Sequence, residues 1–226
     1  MLGLEANPNV EFIDFGCGVG KSFSYVRQIT GGNGFGVDIS EHAVAECRAA
    51  GLPAEIGNLL SYSGKSTTGV AAAINLMPEI GSKPEFEQAV SRMILAARNY
   101  VVIQHDYFDA DSALALAGLY VPSRFSKHIL FKPVVADYLV LVRRFAASHS
   151  ISGVAMFGLA EAHLVPLTFD GAVPAGGGEV EQPAGVTAYR SIRVVIGRKE
   201  ASRFRAALRR TRTGQELFLW ERPDPS

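Results

Sequence analysis

Cysteine is scarce in this 226-residue chain, which holds only Cys17 and Cys47. Two cysteines cannot form the set of disulfides that stabilises small secreted domains. Neither cysteine has the spacing to another cysteine or to a histidine that is typical of a zinc site. The sequence therefore predicts a reducing compartment and no structural metal.

Long hydrophobic runs are also missing. Segment 112–123 is too short to span a bilayer, and segment 145–160 is interrupted by His149 and three serines. The first residues, 1–5, lack the basic residues and the apolar stretch of a signal peptide. Together these absences predict a soluble, cytoplasmic protein without a membrane partner.

Net charge is absent as well, because 22 basic and 22 acidic residues balance. This argues against a chain built mainly to coat nucleic acid or an anionic membrane. The charges are uneven, however, since nine Lys or Arg residues between Arg190 and Arg212 face one acid, Glu200. The arginines that could contact phosphates are Arg203, Arg205, Arg209, Arg210 and Arg212. Few aromatic residues accompany them, so a solvated helix face is the simpler interpretation.

Strand-like and helix-like segments alternate through the first half of the chain. Short apolar runs predict strands at 10–15, 35–38, 54–56, 70–74 and 100–104. Apolar residues at helical spacing predict helices at 22–29 and 41–50, and a third that begins around Pro84. This alternation indicates βαβ units, so we expect an α/β fold with a doubly wound, mostly parallel sheet.

The pattern changes after Asp106. Helices are expected at 111–119 and 134–145, a glycine-rich loop at 170–185, strands at 154–164, 192–196 and 217–220, and a basic helix at 201–210. We therefore expect a single domain, 1–226. It divides into an N-terminal half (1–105), a helical insertion with its loop (106–185), and the terminal strands with the basic helix (186–226).

Three glycines lie between the first strand and the first helix, in Asp14-Phe15-Gly16-Cys17-Gly18-Val19-Gly20. Without a Cβ, they let a ligand approach backbone N–H groups at the start of a helix. Asp38 ends the second strand, 18 residues past Gly20. An acid at this offset can accept both hydroxyls of a ribose, so the pattern is typical of a nucleotide-like ligand.

Two phosphate-binding patterns fit this loop less well. A dinucleotide site needs Gly-x-Gly-x-x-Gly, and its third glycine would fall on Lys21. A P-loop needs Gly-x-x-x-x-Gly-Lys-Ser/Thr, whose first glycine would fall on Phe15, although Gly20-Lys21-Ser22 completes its second half. Asp106 is the only candidate for the magnesium-binding acid that a P-loop also requires.

Segment 14–20 resembles the first motif of class I S-adenosylmethionine (SAM)-dependent methyltransferases. Gly36-Val37-Asp38-Ile39-Ser40 is similar to the next segment of that family, and the resemblance extends through Asn58-Leu59 and Ala73-Ile74-Asn75-Leu76 to cover about residues 10–105. It implies a seven-stranded, Rossmann-like sheet, a SAM-binding half at 1–105, and S-adenosylhomocysteine (SAH) as the product.

The resemblance also implies roles for individual residues. Asp14, Gly16, Gly18 and Gly20 would surround the methionine part of SAM, and Asp38 would hold its ribose hydroxyls. The residues implied for the adenine are Ile39, Asn58 and Leu59. An acid is common in the family at the position of Asn58, and Asn75 would line the pocket near the methyl group.

The acceptor is expected beyond the carboxyl ends of the fourth and fifth strands. Asn75–Glu79 is not the Asn-Pro-Pro-aromatic tetrapeptide that marks methylation of amide or exocyclic amine nitrogens, which weakens those assignments. His105, at the end of the fifth strand, is the candidate general base because imidazole titrates near neutrality. His128 is a weaker candidate, and Glu79 either faces the substrate or is a solvated loop acid.

We therefore predict methyl transfer from SAM to a small-molecule acceptor, at oxygen. Two alternatives stay open: an RNA or protein methyltransferase that uses the basic C-terminal face, and an inactive methyltransferase-like partner subunit. Only nine residues precede the first strand, whereas the family commonly has helices there that cover the cofactor. The insertion, the 170–185 loop or the second subunit of a homodimer would cover this site, or else it stays open.

Overall fold

A computed structural model describes most of the chain. The described residues are 10–64, 68–122, 128–148, 151–162, 164–166, 180, 183–198, 204–205, 208–209 and 214–222. The predicted basic helix at 201–210 and the glycine-rich loop at 170–185 lie largely outside them.

The N-terminal half alternates strands and helices, as predicted. Its strands are β1 (Phe12–Phe15), β2 (Gly34–Asp38), β3 (Ala54–Ile56), β4 (Thr68–Ile74) and β5 (Ala97–Asp106). Its helices are α1 (Lys21–Thr30), α2 (Glu41–Ala49) and α3 (Lys83–Ala96). Ser40 begins α2 by accepting a 3.2 Å hydrogen bond from the backbone N–H of Ala43.

The second half adds helices and strands to this core. They are α4 (Asp111–Leu116), β6 (Leu119–Tyr120), α5 (Val135–Ala147), β7 (Gly153–Glu161), β8 (Val165–Pro166), β9 (Tyr189–Gly197) and β10 (Gln215–Glu221). The helix predicted to reach Leu119 ends earlier, at Leu116, because Gly118 turns the chain with φ 71°. No helix within the described ranges is long and apolar enough to cross a membrane.

One sheet runs through the molecule in the order β10-β7-β9-β5-β4-β1-β2-β3, and β6 pairs with β8 separately. Strands β1 to β5 pair in parallel, while β9 lies antiparallel between β5 and β7. The chain moves outward from β1 to β3 and then returns to β4 on the other side of β1. Loops therefore diverge at the carboxyl ends of β1 and β4 and leave a crevice there.

The mostly parallel α/β class is confirmed, but the main sheet has eight strands among the described residues, one more than the seven predicted. The eighth strand is β10, which pairs antiparallel with β7 along Gln215–Glu221. This pairing satisfies backbone groups that β7 would otherwise expose at the edge of the sheet.

Apolar side chains cover both faces of the sheet, since alternate residues of each strand point to opposite faces. One cluster joins α3 and α5 to the face that carries Phe15, and the other joins α1 and α2 to the face that carries Phe12. In the first cluster, the rings of Tyr138 on α5 and Phe86 on α3 meet edge-on at 5.1 Å. The insertion therefore contributes α5 to the main core.

Candidate functional site

A cavity of about 1020 Å³ opens at the carboxyl ends of the parallel strands. Loops after β1, β2, β3 and β4 line it, together with α1 and the end of β5. The cofactor residues predicted from the sequence that line it are Gly16, Gly18, Asp38, Ile39, Asn58, Leu59 and Asn75. Asp14 is buried at the end of β1, and Gly20 is the residue that precedes α1. The fold thus gathers the predicted residues at one crevice.

The glycine loop folds back onto β2. The backbone N–H of Gly16 donates to the carbonyl of Val37 at 2.7 Å, and that of Gly18 donates to Oδ2 of Asp38 at 2.8 Å. Gly16 and Gly18 have φ of 69° and 53°, in the left-handed region that favours glycine. A Cβ on Gly16 would lie 2.8 Å from a side-chain carbon of Leu76, whereas a Cβ on Gly18 would meet nothing within 4 Å. Gly18 therefore leaves open space at the cavity wall.

The backbone around Asp38 fixes its carboxylate. Besides the bond from Gly18, Oδ1 accepts a 2.9 Å hydrogen bond from the backbone N–H of Ser40. Each carboxylate oxygen can accept more than one hydrogen bond, so both retain capacity for a ligand. An oriented pair of acceptor oxygens suits two neighbouring hydroxyls.

Asp14 is fully buried at the end of β1. Its Oδ2 accepts a hydrogen bond from the hydroxyl of Ser22, and its Oδ1 has no partner among the described residues. Burial raises the pKa of Asp14 to about 7, the Ser22 hydrogen bond opposes this, and the charge of Asp38 adds to it. A buried oxygen without a partner is unfavourable, so a donor or positive charge from a ligand would stabilise it.

Asn75 follows β4 in a conformation that few residues other than glycine adopt, with φ 62°. Its backbone N–H donates to the carbonyl of Gln104 at 2.7 Å. Its side-chain oxygen is buried and has no hydrogen-bond partner within the described part of the chain. Strained backbone and unpartnered polar atoms concentrate at functional sites, which supports Asn75 as a ligand contact.

The cavity near β2 and β3 combines apolar side chains with an amide. Leu59 is buried, and Ile39 is 72% exposed at the rim. Asn58 accepts a 2.8 Å hydrogen bond from the backbone N–H of Leu60, which starts the short helical turn Leu59–Ser61. The side-chain oxygen of Asn58 is therefore committed to the backbone, and its amide nitrogen is the group that can donate to a ligand.

Three residues that the sequence did not single out form a hydrogen-bond network at β5. Tyr25 of α1 and Gln104 of β5 line the cavity, and Arg193 of β9 contacts both of them. The Tyr25 hydroxyl donates to Oε1 of Gln104, which also accepts from Nε and Nη2 of Arg193 at 3.1 Å each. A cation within the apolar run Ile192–Ile196 is the sequence signal that could have drawn attention to Arg193.

His105, the predicted base, is not among the residues that line the cavity. His105 is completely buried. Its Nδ1 contacts the carbonyl of Asp106 at 2.6 Å, and its Nε2 contacts the hydroxyl of Tyr138 at 2.7 Å. Because a carbonyl only accepts, Nδ1 carries the proton and Nε2 accepts from Tyr138. Both ring nitrogens are occupied, so His105 is not proposed as a base.

We expect His105 to make folding sensitive to acid. Burial lowers its pKa to about 4, against the opposing effect of the hydrogen bond to Asp106. The unfolded chain binds a proton near pH 6.5 and the folded chain does not. The contribution of His105 to the stability of the folded chain is therefore fully present above pH 6.5 and is lost as the pH falls toward 4. Between about pH 7.5 and 4.5, this group alone should lower the free energy of unfolding by about 2–3 kcal/mol.

The matched measurement is urea unfolding of the wild type and His105→Gln at both pH values. Gln can still accept from Tyr138 but does not titrate, so the variant should lack this share of the acid loss. The two proteins must be compared because Asp14 has the opposite effect. Its raised pKa makes the folded protein less stable as the pH rises toward 7. An equal acid loss in both proteins would contradict the burial of a neutral His105.

The remaining acceptor-side candidates are Glu79, in the turn after β4, and His128 of the insertion. Glu79 lines the cavity; partial burial raises its pKa, and the charge of His128 opposes this. His128 is exposed. Near it, the backbone N–H groups of Leu130 and Phe131 donate to the carbonyl of Pro78 at 2.8 and 3.2 Å. The insertion thus reaches the turn after β4.

The basic C-terminal face is described only in part. Arg205 forms a 3.0 Å ion pair with Glu221, which gives one of the predicted phosphate contacts a partner within the chain. Arg203, Arg210 and Arg212 lie outside the described residues.

No family model matches this chain, and no curated protein sequence matches it either. Among solved structures it is similar to a SAM-dependent methyltransferase from Archaeoglobus fulgidus, with a TM-score of 0.58 and 9% identity over 85% of this chain and 88% of that one. A SAM-dependent methyltransferase from Methanosarcina mazei gives a TM-score of 0.53 and 13% identity, covering 84% and 92% of the two chains. Magnesium protoporphyrin IX methyltransferase from Synechocystis PCC 6803, with bound SAH, gives 0.51 and 16%, covering 84% and 75%. These similarities show that the chain has the class I SAM-dependent methyltransferase fold.

Proposed function

We propose that this chain binds SAM in the cavity and transfers its methyl group to an oxygen of a small molecule. The main support for the proposal is one observation. The crevice of a methyltransferase fold is lined by the glycine loop and by the Asp38 carboxylate, which the Gly18 N–H fixes at 2.8 Å.

The residues around the cavity fit the chemical groups of SAM. Asp38 would accept the ribose hydroxyls, with Ile39, Asn58 and Leu59 around the adenine. Gly18 leaves open space for the methionine part, Gly16 lines the cavity beside it, and Gly20 precedes α1. The buried oxygens of Asp14 and Asn75 have no partner in the described part of the chain, so both could accept from, or interact with, the positively charged centres of SAM.

The role of the protein is then mainly one of positioning. SAM supplies an electrophilic methyl group on a positively charged sulfur. Holding the acceptor oxygen in line with that methyl group removes much of the entropic barrier. In this proposal the acceptor oxygen approaches beside Asn75 and Gln104, which are joined by a 2.7 Å backbone hydrogen bond.

The size of the cavity supports a small acceptor. Ligand cavities for small molecules span roughly 300–1,000 Å³, and this one holds about 1020 Å³. It could enclose the cofactor together with a compact second molecule.

The test is release of SAH from SAM in the presence of separate groups of acceptors: carboxylic acids, phenols, amines and RNA. We expect turnover with an oxygen-bearing small molecule. Turnover with RNA alone would replace the proposal with a nucleic-acid methyltransferase. SAH binding without turnover in any group would favour a binding or partner subunit.

A further inference from the structure

We propose that the wall formed by Tyr25 and Gln104 binds a carboxylate of the acceptor, so that the substrate is an acidic small molecule. This inference rests on the proposed function, because it concerns the same cavity. It names the substrate class that the cavity selects.

The first observation is a compact hydrogen-bond network behind the wall. Arg193 donates from Nη2 to the Tyr25 hydroxyl and from Nε and Nη2 to Oε1 of Gln104. Its guanidinium carbon also lies 5.4 Å from the centre of the Tyr25 ring. Gln104 and Arg193 face each other in the β5–β9 ladder, so strand register holds this network in place.

The second observation is the charge of the network. Arg193 is 5% exposed, and burial lowers its pKa to about 10. The guanidinium therefore stays protonated at neutral pH. A buried cation is costly to maintain, and its field is stronger in a low-dielectric setting than in water. It gives this part of the cavity a positive potential.

The third observation is the position of the wall. In the sheet order β2-β1-β4-β5, Gln104 lies three strands from Asp38, which is about 14 Å at roughly 4.8 Å per strand. The Tyr25–Gln104 wall is therefore at the end of the cavity opposite the ribose-binding carboxylate.

The network can present donors to an anion without losing its own contacts. The Tyr25 hydroxyl can turn its proton from Gln104 to a carboxylate while Arg193 continues to donate to both side chains. Arg193 polarises that phenol, which strengthens the hydrogen bond it donates. Among the described residues, no hydrogen bond uses Nε2 of Gln104, so its amide can donate as well.

The experiment uses SAH-saturated protein and two ring compounds of the same shape, benzoate and benzamide. Binding is followed by calorimetry or ligand-observed NMR. We expect benzoate to bind at least about tenfold more tightly than benzamide, because only benzoate carries the charge that the wall selects.

Two variants test the residues. Gln104→Glu places a carboxylate beside Arg193, which keeps the network paired but removes the amide donor and the positive potential. Benzoate affinity should fall at least about tenfold, while SAH affinity should change less than about threefold. Tyr25→Phe, which keeps the ring, should weaken benzoate about fivefold. Tyr120→Phe, which lies outside the cavity, should change neither the benzoate affinity nor the SAH affinity.

The following outcomes would overturn the inference. Equal affinity for benzoate and benzamide would show that the wall does not prefer a negative charge. No benzoate binding at concentrations up to ~10 mM would show that the wall is not a carboxylate site. A tenfold loss of SAH affinity in Gln104→Glu and Tyr25→Phe would show that the wall serves the cofactor instead. If the wild type does not bind SAH, the proposed function itself fails, which this design separates from failure of the carboxylate site.

Discussion

Replacing Gly18 with arginine should abolish SAH binding, with an affinity loss of at least about 100-fold, or about 3 kcal/mol. The space at Gly18 is the reason. A Cβ there meets nothing within 4 Å, so the arginine side chain extends into the cavity rather than into the core. The left-handed backbone, with φ 53°, should cost the folded protein about 1–2 kcal/mol. Calorimetric titration with SAH and a thermal melt measure the two effects.

Gly31→Arg is the matched control for this substitution. Gly31 also has a positive φ, 78°, and open space around its Cβ, but it ends α1 outside the cavity. We expect Gly31→Arg to lose comparable stability and to bind SAH like the wild type. Normal SAH binding by a folded Gly18→Arg protein would mean that the cofactor does not lie against the glycine loop.

Asp38→Asn should weaken SAH binding about 10- to 100-fold, because hydrogen bonds to a charged group contribute about 1.5–3 kcal/mol. The carboxylate has two oxygens that already accept from Gly18 and Ser40, and an amide has only one. The variant therefore either loses a backbone contact of the loop or leaves one hydroxyl of the ribose without an acceptor. Both effects lower affinity and are measured by the same titration.

Asp111→Asn controls for the loss of a carboxylate elsewhere. Asp111 pairs with Lys132 at 2.5 Å on α4, outside the cavity. Exposed ion pairs contribute little to stability, so SAH affinity should stay unchanged in this variant. If the Asp38→Asn protein binds SAH as tightly as the Asp111→Asn protein does, a contact between Asp38 and the ribose is excluded.

The cofactor half was predictable because its signals are local. A strand, a glycine turn and a helix follow one another within residues 12–30, and the acid that faces the loop is the last residue of the next strand. Parallel βαβ units bring such residues to one edge of the sheet whatever the rest of the chain does. This is why seven of the nine predicted cofactor residues line the same cavity.

The acceptor side was not predictable because its contacts are distant in sequence. Arg193 reaches Gln104 across 89 residues and Tyr25 across 168, which requires the antiparallel placement of β9 beside β5. The same placement decides the environment of His105. Its ring lies on a buried strand against Tyr138 of the insertion, 33 residues away. Its neighbours in sequence therefore gave no sign that both ring nitrogens have partners. The eighth strand likewise depends on pairing between β7 and β10.

The measurement that tests the central claim most directly is calorimetric titration of the folded wild-type protein with SAH. We expect saturable binding of one SAH per chain with a Kd on the order of 1–100 µM. A melting temperature that rises with SAH concentration should accompany it. No binding heat and no rise in melting temperature up to about 1 mM SAH would contradict the assignment of this cavity to SAM.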